Sequence, residues 1–305
     1  MSEPVLSVSQ LYKNYSSKEV LKGIDLDAYE GEIVGIVGAN GSGKTTFFRC
    51  ICSLTDYEKG SIAICGMSSK HDYCDKLRNI RAVIEEPKFY DNLTGFQNMM
   101  IAVRSYGSDE TADDIKEYMS AFGIGDAAGI KVRRYSMGMK QRLGMCRLLV
   151  GHPRLIILDE PINGLDVNGV IETRGYILKM AHEYNACVIV SSHILQEMEM
   201  VADRLFYLKD GILIPDDPTV VSNDFYLKTP DITKAEKCLE DNSGRGESIN
   251  YSFDVIAPGE YDIRFESLST DEFLKILIGE NIRVEDFHRH LPSLEERYKS
   301  MIGDL

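Results

Sequence analysis

The chain has 305 residues, 44% hydrophobic and 27% charged, which is ordinary globular material for about two domains able to bury a core. Its net charge of -14 argues against a broad nucleic-acid footprint, which needs a basic face, and gives no general attraction to anionic lipid. No apolar run approaches the ~18 residues of a membrane span, Met1-Ser2-Glu3-Pro4 carries no signal-peptide pattern, and the seven cysteines form no CxxC pair, so they read as reduced, buried thiols of a cytosolic protein.

Val5 to Tyr12 and Val20 to Tyr29 read as strands. Tyr15, between them, either stacks on a base or is an ordinary packed or surface tyrosine. The apolar run Ile33-Val34-Gly35-Ile36-Val37 then meets Gly38-Ala39-Asn40-Gly41-Ser42-Gly43-Lys44-Thr45, and Phe47, Phe48, Ile51 and Leu54 follow at helix-face spacing. Strand, glycine-rich loop and helix in that order make a phosphate-binding loop. The glycines let successive N–H groups turn toward an anion, and the helix directs its positive dipole end at the same point. Lys44 reaches the outer phosphates, and the Thr45 hydroxyl can ligate Mg²⁺.

Residues 60–66 alternate like a strand between glycines, and Arg81 to Ile84 forms a short strand ending in Glu85-Glu86-Pro87. From 88 to 151 the pattern is helical. Thr94-Gly95-Phe96-Gln97 is a capping box, helices are expected at 95–106 and 109–122, and Ser136 is an N-cap for a third that stops at Gly151-His152-Pro153. Leu155-Ile156-Ile157-Leu158 reads as a strand buried on both faces, and Asp159-Glu160 emerge where it ends. Asp159 there can hold Mg²⁺, and Glu160 can orient and polarise a water. A turn at Asn163 to Asp166, a helix from Val170 to Glu183 and a second buried strand from Ala186 to Ser192 follow, ending at His193. Arg204 to Leu213 reads as a hairpin, and Pro215-Asp216-Asp217-Pro218 as a linker. Beyond it, strands are expected near 224–228, 249–256, 261–265 and 281–285, and helices near 231–240, 270–279 and 293–302, with a loop at Asn242 to Gly246.

These motifs resemble the ATP-binding subunit of an ABC transporter over about residues 1–215. The resemblance implies an α/β fold: an ABC-type P-loop ATPase core with a mixed sheet and a helical subdomain at about 88–151, in a nucleotide-binding domain of 1–218. A small α+β accessory domain fills 219–305. It implies ATP and Mg²⁺ as cofactors, with Gly38 to Thr46 (Thr46 included) as the Walker A loop and Tyr15 on the adenine. Glu160 is then the catalytic glutamate, Asp166 belongs to the D-loop, and His193 is the switch histidine. Ser136 and Gly138 sit in a signature, Ser136 to Gln141, that contacts the γ-phosphate held by an opposite subunit.

Two positions depart from the usual family pattern. Tyr135-Ser136-Met137-Gly138-Met139 replaces Leu-Ser-Gly-Gly-Gln, and Glu85 stands in place of the Q-loop glutamine, as a metal-facing residue. Both are similar to the branch that exports bacitracin or gives immunity to lantibiotic peptides. The partners implied are integral membrane permease subunits and a second nucleotide-binding subunit, a copy or a sister. No nucleic acid is expected, and the location is peripheral on the cytoplasmic face of the membrane. The alternative from another class is a soluble ABC ATPase of translation or DNA repair.

Overall fold

The computed structural model describes residues 3–68, 73–84, 87–216, 224–242, 251–265, 269–289 and 297. The chain divides into two compact units, Met1–Asp216 and Asp217–Leu305.

The first unit begins with β1 (Leu6–Tyr15), β2 (Lys18–Ala28), β3 (Ile33–Val37), α1 (Lys44–Ile51), β4 (Lys59–Ile64), β5 (Met67–Ser68), α2 (Tyr73–Arg78) and β6 (Ile80–Val83). The helical stretch holds α3 (Gly95–Tyr106), α4 (Ala112–Ala121) and α5 (Met137–Arg147). Then come β7 (Leu155–Leu158), α6 (Val167–His182), β8 (Cys187–Ser192), α7 (Leu195–Glu199), β9 (Arg204–Lys209) and β10 (Ile212–Pro215). An antiparallel sheet runs β2-β1-β4-β5, and a mixed six-stranded sheet runs β10-β9-β3-β8-β7-β6.

The unbroken apolar strands are central ones. β3 lies between β9 and β8, β7 lies between β6 and β8, and all four pairings are parallel. Every residue of β3, β7 and β8 is buried, because both sheet faces are covered. One core holds Val8 and Leu26 of the antiparallel sheet, Phe47 and Phe48 of α1, and Ile157 and Ile189 of the mixed sheet. Parallel register sets Val37 beside Ser192 and Leu158 beside Val190. The carboxyl ends of β3, β8 and β7 therefore open side by side, and the chain leaving each begins the candidate site.

Local chemistry ends the helices of the insertion where it is written in sequence. Thr94 and Gln97 complete the expected capping box of α3. The start of α4 is later than expected, because Thr111 caps it through Asp114, an aspartate version of the box. Tyr135 explains its own departure from the leucine pattern: its buried hydroxyl donates to the Ala127 carbonyl at 2.7 Å. A Cβ at Gly95 would collide with that hydroxyl. Gly95→Ala gains helix propensity of about 1 kcal/mol but must displace the anchored ring. It is expected to destabilise the protein by about 1–3 kcal/mol, read as a lowered midpoint of thermal unfolding.

Pro215 is a correction: it ends β10, opposite Phe206, instead of opening a linker. β10 is an edge strand, where a missing N–H breaks no ladder. The cysteines carry no disulfide, but Cys65 is only half-buried and Cys74 is exposed. Burial pushes the Cys50 and Cys52 thiols up to about 12.

The second unit comprises β11 (Asp224–Lys228), α8 (Ile232–Asn242), β12 (Tyr251–Ala257), β13 (Glu260–Phe265), α9 (Thr270–Gly279) and β14 (Asp286–Arg289). Its antiparallel sheet runs β12-β13-β11-β14, the split βαβ arrangement of ferredoxin-like folds. Leu227, Tyr261 and Ile263 of the sheet pack with Leu239, Phe273 and Leu277 of the helices. The strand expected at 281–285 forms instead at 286–289. Asn281 takes a positive φ of 51°, and Ile282 turns into the core, so the extended run starts later. The helix expected at 293–302 lies outside the described residues apart from residue 297, and so does all of the 242–246 loop but Asn242.

Candidate active site

The loop after β3 is shaped by glycine where nothing else fits. Gly41 and Gly43 have φ of 81° and 115°, and a Cβ at Gly38 would lie 2.6 Å from the Leu208 carbonyl. Gly43 caps α1 without a side-chain hydrogen bond, so the first N–H groups of the helix face the loop. The buried Ser42 hydroxyl has no hydrogen-bond partner among the described residues. Such a loop offers donors and a dipole to an anion. Asn40 lines the adjoining cleft, and Thr46 is half-buried in α1.

Lys44 is 5% exposed, and its Nζ donates to the carbonyls of Gly38 at 2.7 Å and Ala39 at 3.2 Å. The same Nζ lies 3.3 Å from Glu160 Oε1. Asp159 is buried beside it and accepts from Thr45 Oγ1 on one oxygen and Ser191 Oγ on the other, both at 2.7 Å. These are hard oxygen donors, a carboxylate and a hydroxyl, of the kind Mg²⁺ takes.

Glu160 is held on three sides. Its N–H donates to Ser191 Oγ at 2.9 Å, its Oε2 meets His193 Nδ1 at 2.7 Å, and its Oε1 faces Lys44. Its φ is +48°, a left-handed conformation that a non-glycine residue before proline seldom adopts. Strain of about 1–3 kcal/mol persists only where neighbours over-determine it, and such positions gather at active sites. The structure thus brings Lys44, Thr45, Asp159, Glu160 and His193 together from three strand tips. A cleft of about 680 Å³, lined by Asn40, Thr45, Asp159 and Glu160 among others, opens beside them.

Ser191 was not anticipated. Its hydroxyl ties the two carboxylate residues together, and the available signal was a pair of serines ending an otherwise apolar buried strand. Ser136, Gly138 and Asp166 line a second cleft, of about 460 Å³. Ser136 caps α5 through the Met139 N–H, and Asp166 caps α6 through the Gly169 N–H. A Cβ at Gly138 would meet nothing within 4 Å, so packing inside the subunit does not demand glycine there. Tyr15 is exposed at the end of β1, with the Lys13 ammonium 4.9 Å from its ring centre. Glu85 lies outside the described residues.

Comparison with known proteins agrees with this fold. A family model described as ABC transporter matches residues 21–163. The bacitracin transport ATP-binding protein BcrA of Bacillus licheniformis is 36% identical over 98% of this chain and 97% of its own length. The lantibiotic transport ATP-binding protein SrtF of Streptococcus pyogenes is 35% identical over 69% of this chain and 89% of its own. A solved ATP-binding subunit of an ABC transporter superposes with a TM-score of 0.62 at 26% identity, covering 68% of this chain and 88% of that one. These relatives give no support to the alternative in translation or DNA repair. Among the described residues no helix is long and apolar enough to cross a membrane.

Proposed function

This chain belongs to the ABC transporter ATP-binding proteins, and on that premise we propose that its ATPase site is the cluster at Lys44, Thr45, Asp159, Glu160 and His193. Hydrolysis there drives a separate membrane permease that exports an antimicrobial peptide or a similar amphipathic compound. The observation that carries the assignment is the junction of two carboxylates, a lysine and a histidine at neighbouring strand tips. The cargo class rests on likeness to proteins named for bacitracin and lantibiotic transport.

In this reading the loop N–H groups and Lys44 bind the β- and γ-phosphates, and Tyr15 stacks on the adenine. Thr45, Asp159 and Glu85 would hold Mg²⁺, which would supply neutralisation of phosphate charge when bound. A γ-phosphate beside Lys44 takes over the ammonium that otherwise pairs with Glu160. The freed carboxylate then accepts a proton from the attacking water as the water oxygen bonds to the γ-phosphorus and the bond from that phosphorus to the β–γ bridging oxygen breaks, releasing ADP; His193, bonded to the other carboxylate oxygen, keeps it oriented and faces the γ-phosphate. Ser136, Gly138 and Asp166 serve the nucleotide of a second nucleotide-binding subunit, a copy of this chain or a sister. Their cleft is lined by no residue of their own phosphate loop, which supports this sharing. The subunit sits peripherally on the cytoplasmic face of the membrane, bound to its permease, with 219–305 as an accessory domain and no nucleic acid involved.

Phosphate release against Mg²⁺ concentration tests the site, with the permease-bound complex assayed alongside for transport. Wild type should hydrolyse ATP only with Mg²⁺. An ionised glutamate offers the cation a charge that glutamine lacks. Glu85→Gln should therefore raise the Mg²⁺ needed for half-maximal rate several-fold, about 3–10 times, or weaken coupling to transport. An effect from Glu86→Gln alone would move the role by one residue. Metal-independent turnover would contradict the site.

A further inference from the structure

Gln141 ends the signature stretch, in the second turn of α5, the helix capped by Ser136, and no role has yet been given to its side chain. Its Nε2 donates to the Pro161 carbonyl at 2.7 Å and approaches Thr173 Oγ1 of α6 at 3.3 Å. Pro161 follows Glu160 directly, so this bond joins the Asn163 N–H, which donates to the Glu160 carbonyl at 3.1 Å, in holding the turn that leaves the strained residue. Ser191 anchors the incoming side through the Glu160 N–H. Gln141 also lines both clefts, the one bordered by Thr45, Asp159 and Glu160 and the one bordered by Ser136, Gly138 and Asp166. Its side chain therefore stands in the wall between them.

We propose that Gln141 is a positioning residue: it clamps the turn that carries Glu160 and ties that turn to the helix bearing Ser136 and Gly138. The inference rests on Glu160 being the residue that polarises the attacking water. Proline at 161 supplies no N–H; the Glu160 carbonyl accepts from the Asn163 N–H at 3.1 Å, and the Pro161 carbonyl, one peptide further along the turn, is the group that Gln141 holds. Without the clamp, a left-handed Glu160 can relax toward the extended conformation favoured before proline, and its carboxylate then leaves the position set by Lys44 and His193. A displacement of about 1 Å is enough to cost a large part of the rate. The same link makes a shift of the Ser136 end of α5 felt at Glu160, so engagement of one cleft is read out in the other.

The test is steady-state phosphate release against ATP concentration by the full chain, with thermal unfolding of each variant. The variants are Gln141→Met, Gln141→Glu, Glu160→Gln and Gln141→Met combined with Glu160→Gln. Methionine keeps the volume and loses the donor. An ionised glutamate keeps the shape but has only acceptors to set against a carbonyl. We expect kcat to fall about tenfold in Gln141→Met and at least as far in Gln141→Glu, with KM within about twofold. Tenfold corresponds to about 1.4 kcal/mol, the size of one lost hydrogen bond. In the Glu160→Gln background the same change should cause no further loss, because the clamp acts through Glu160. Wild-type kcat in Gln141→Met would overturn the inference. So would a parallel loss in kcat, KM and unfolding midpoint, which is the mark of a packing role. Full turnover by Glu160→Gln would instead overturn the site assignment beneath it.

Discussion

Glu160→Gln should keep ATP affinity within about threefold of wild type while turnover falls by about 10² to 10⁴, the range of general-base contributions. The substitution is isosteric, so the backbone bond to Ser191 and the contact with His193 have the same reach. What disappears is the charge beside Lys44 and the capacity to accept a proton from water. Lys44 loses one partner but keeps the Gly38 and Ala39 carbonyls, so the proposed phosphate loop should stay formed. The variant should therefore accumulate as an ATP-bound complex, seen as retained nucleotide after gel filtration. Turnover within about tenfold of wild type would remove Glu160 from the catalytic role.

Much of this site was legible because its signals are local. The glycines of residues 38–43 are fixed by positive φ and by close approach of the Leu208 carbonyl, needs that only glycine meets. The apolar runs of β3, β7 and β8 reflect burial on both faces, and so disclosed a parallel sheet. What stayed hidden depends on contacts distant in sequence. Ser191 and Asp159 are 32 residues apart, and nothing in either neighbourhood says that one hydroxyl bridges two carboxylate residues. Tyr135 departs from the family's leucine, and its reason lies in Ala127 and Gly95. Pro215 read as a linker because proline marks breaks in most contexts, whereas an edge strand tolerates it. The strand order of the second unit, with β11 between β13 and β14, likewise cannot be read from alternation alone.

Sharing of the site between two subunits predicts rescue between two inactive variants. Lys44→Ala removes the buried cation proposed to meet the phosphates and leaves Glu160 without its ammonium, so nucleotide affinity should drop by about 100-fold or more. Ser136→Arg keeps its own phosphate loop but fills the second cleft with a bulky charge and removes the cap of α5. Each variant alone should be nearly inactive. In a heterodimer of the two, the intact Lys44 of one subunit faces the intact Ser136 of the other, and one composite site survives. Random pairing makes about half of the dimers mixed, each with one working site, so activity should recover to about a quarter of wild type when sites act independently. The recovery should grow with total protein concentration, as association requires.

Phosphate release from an equimolar mixture of the Ser136→Arg and Lys44→Ala chains, titrated in total concentration against each variant alone, is the most direct measurement of this account. A concentration-dependent rise toward about a quarter of the wild-type rate is the predicted result. A mixture that never exceeds the sum of its parts, or a Ser136→Arg chain as active as wild type, would contradict a site completed by a second copy of this chain.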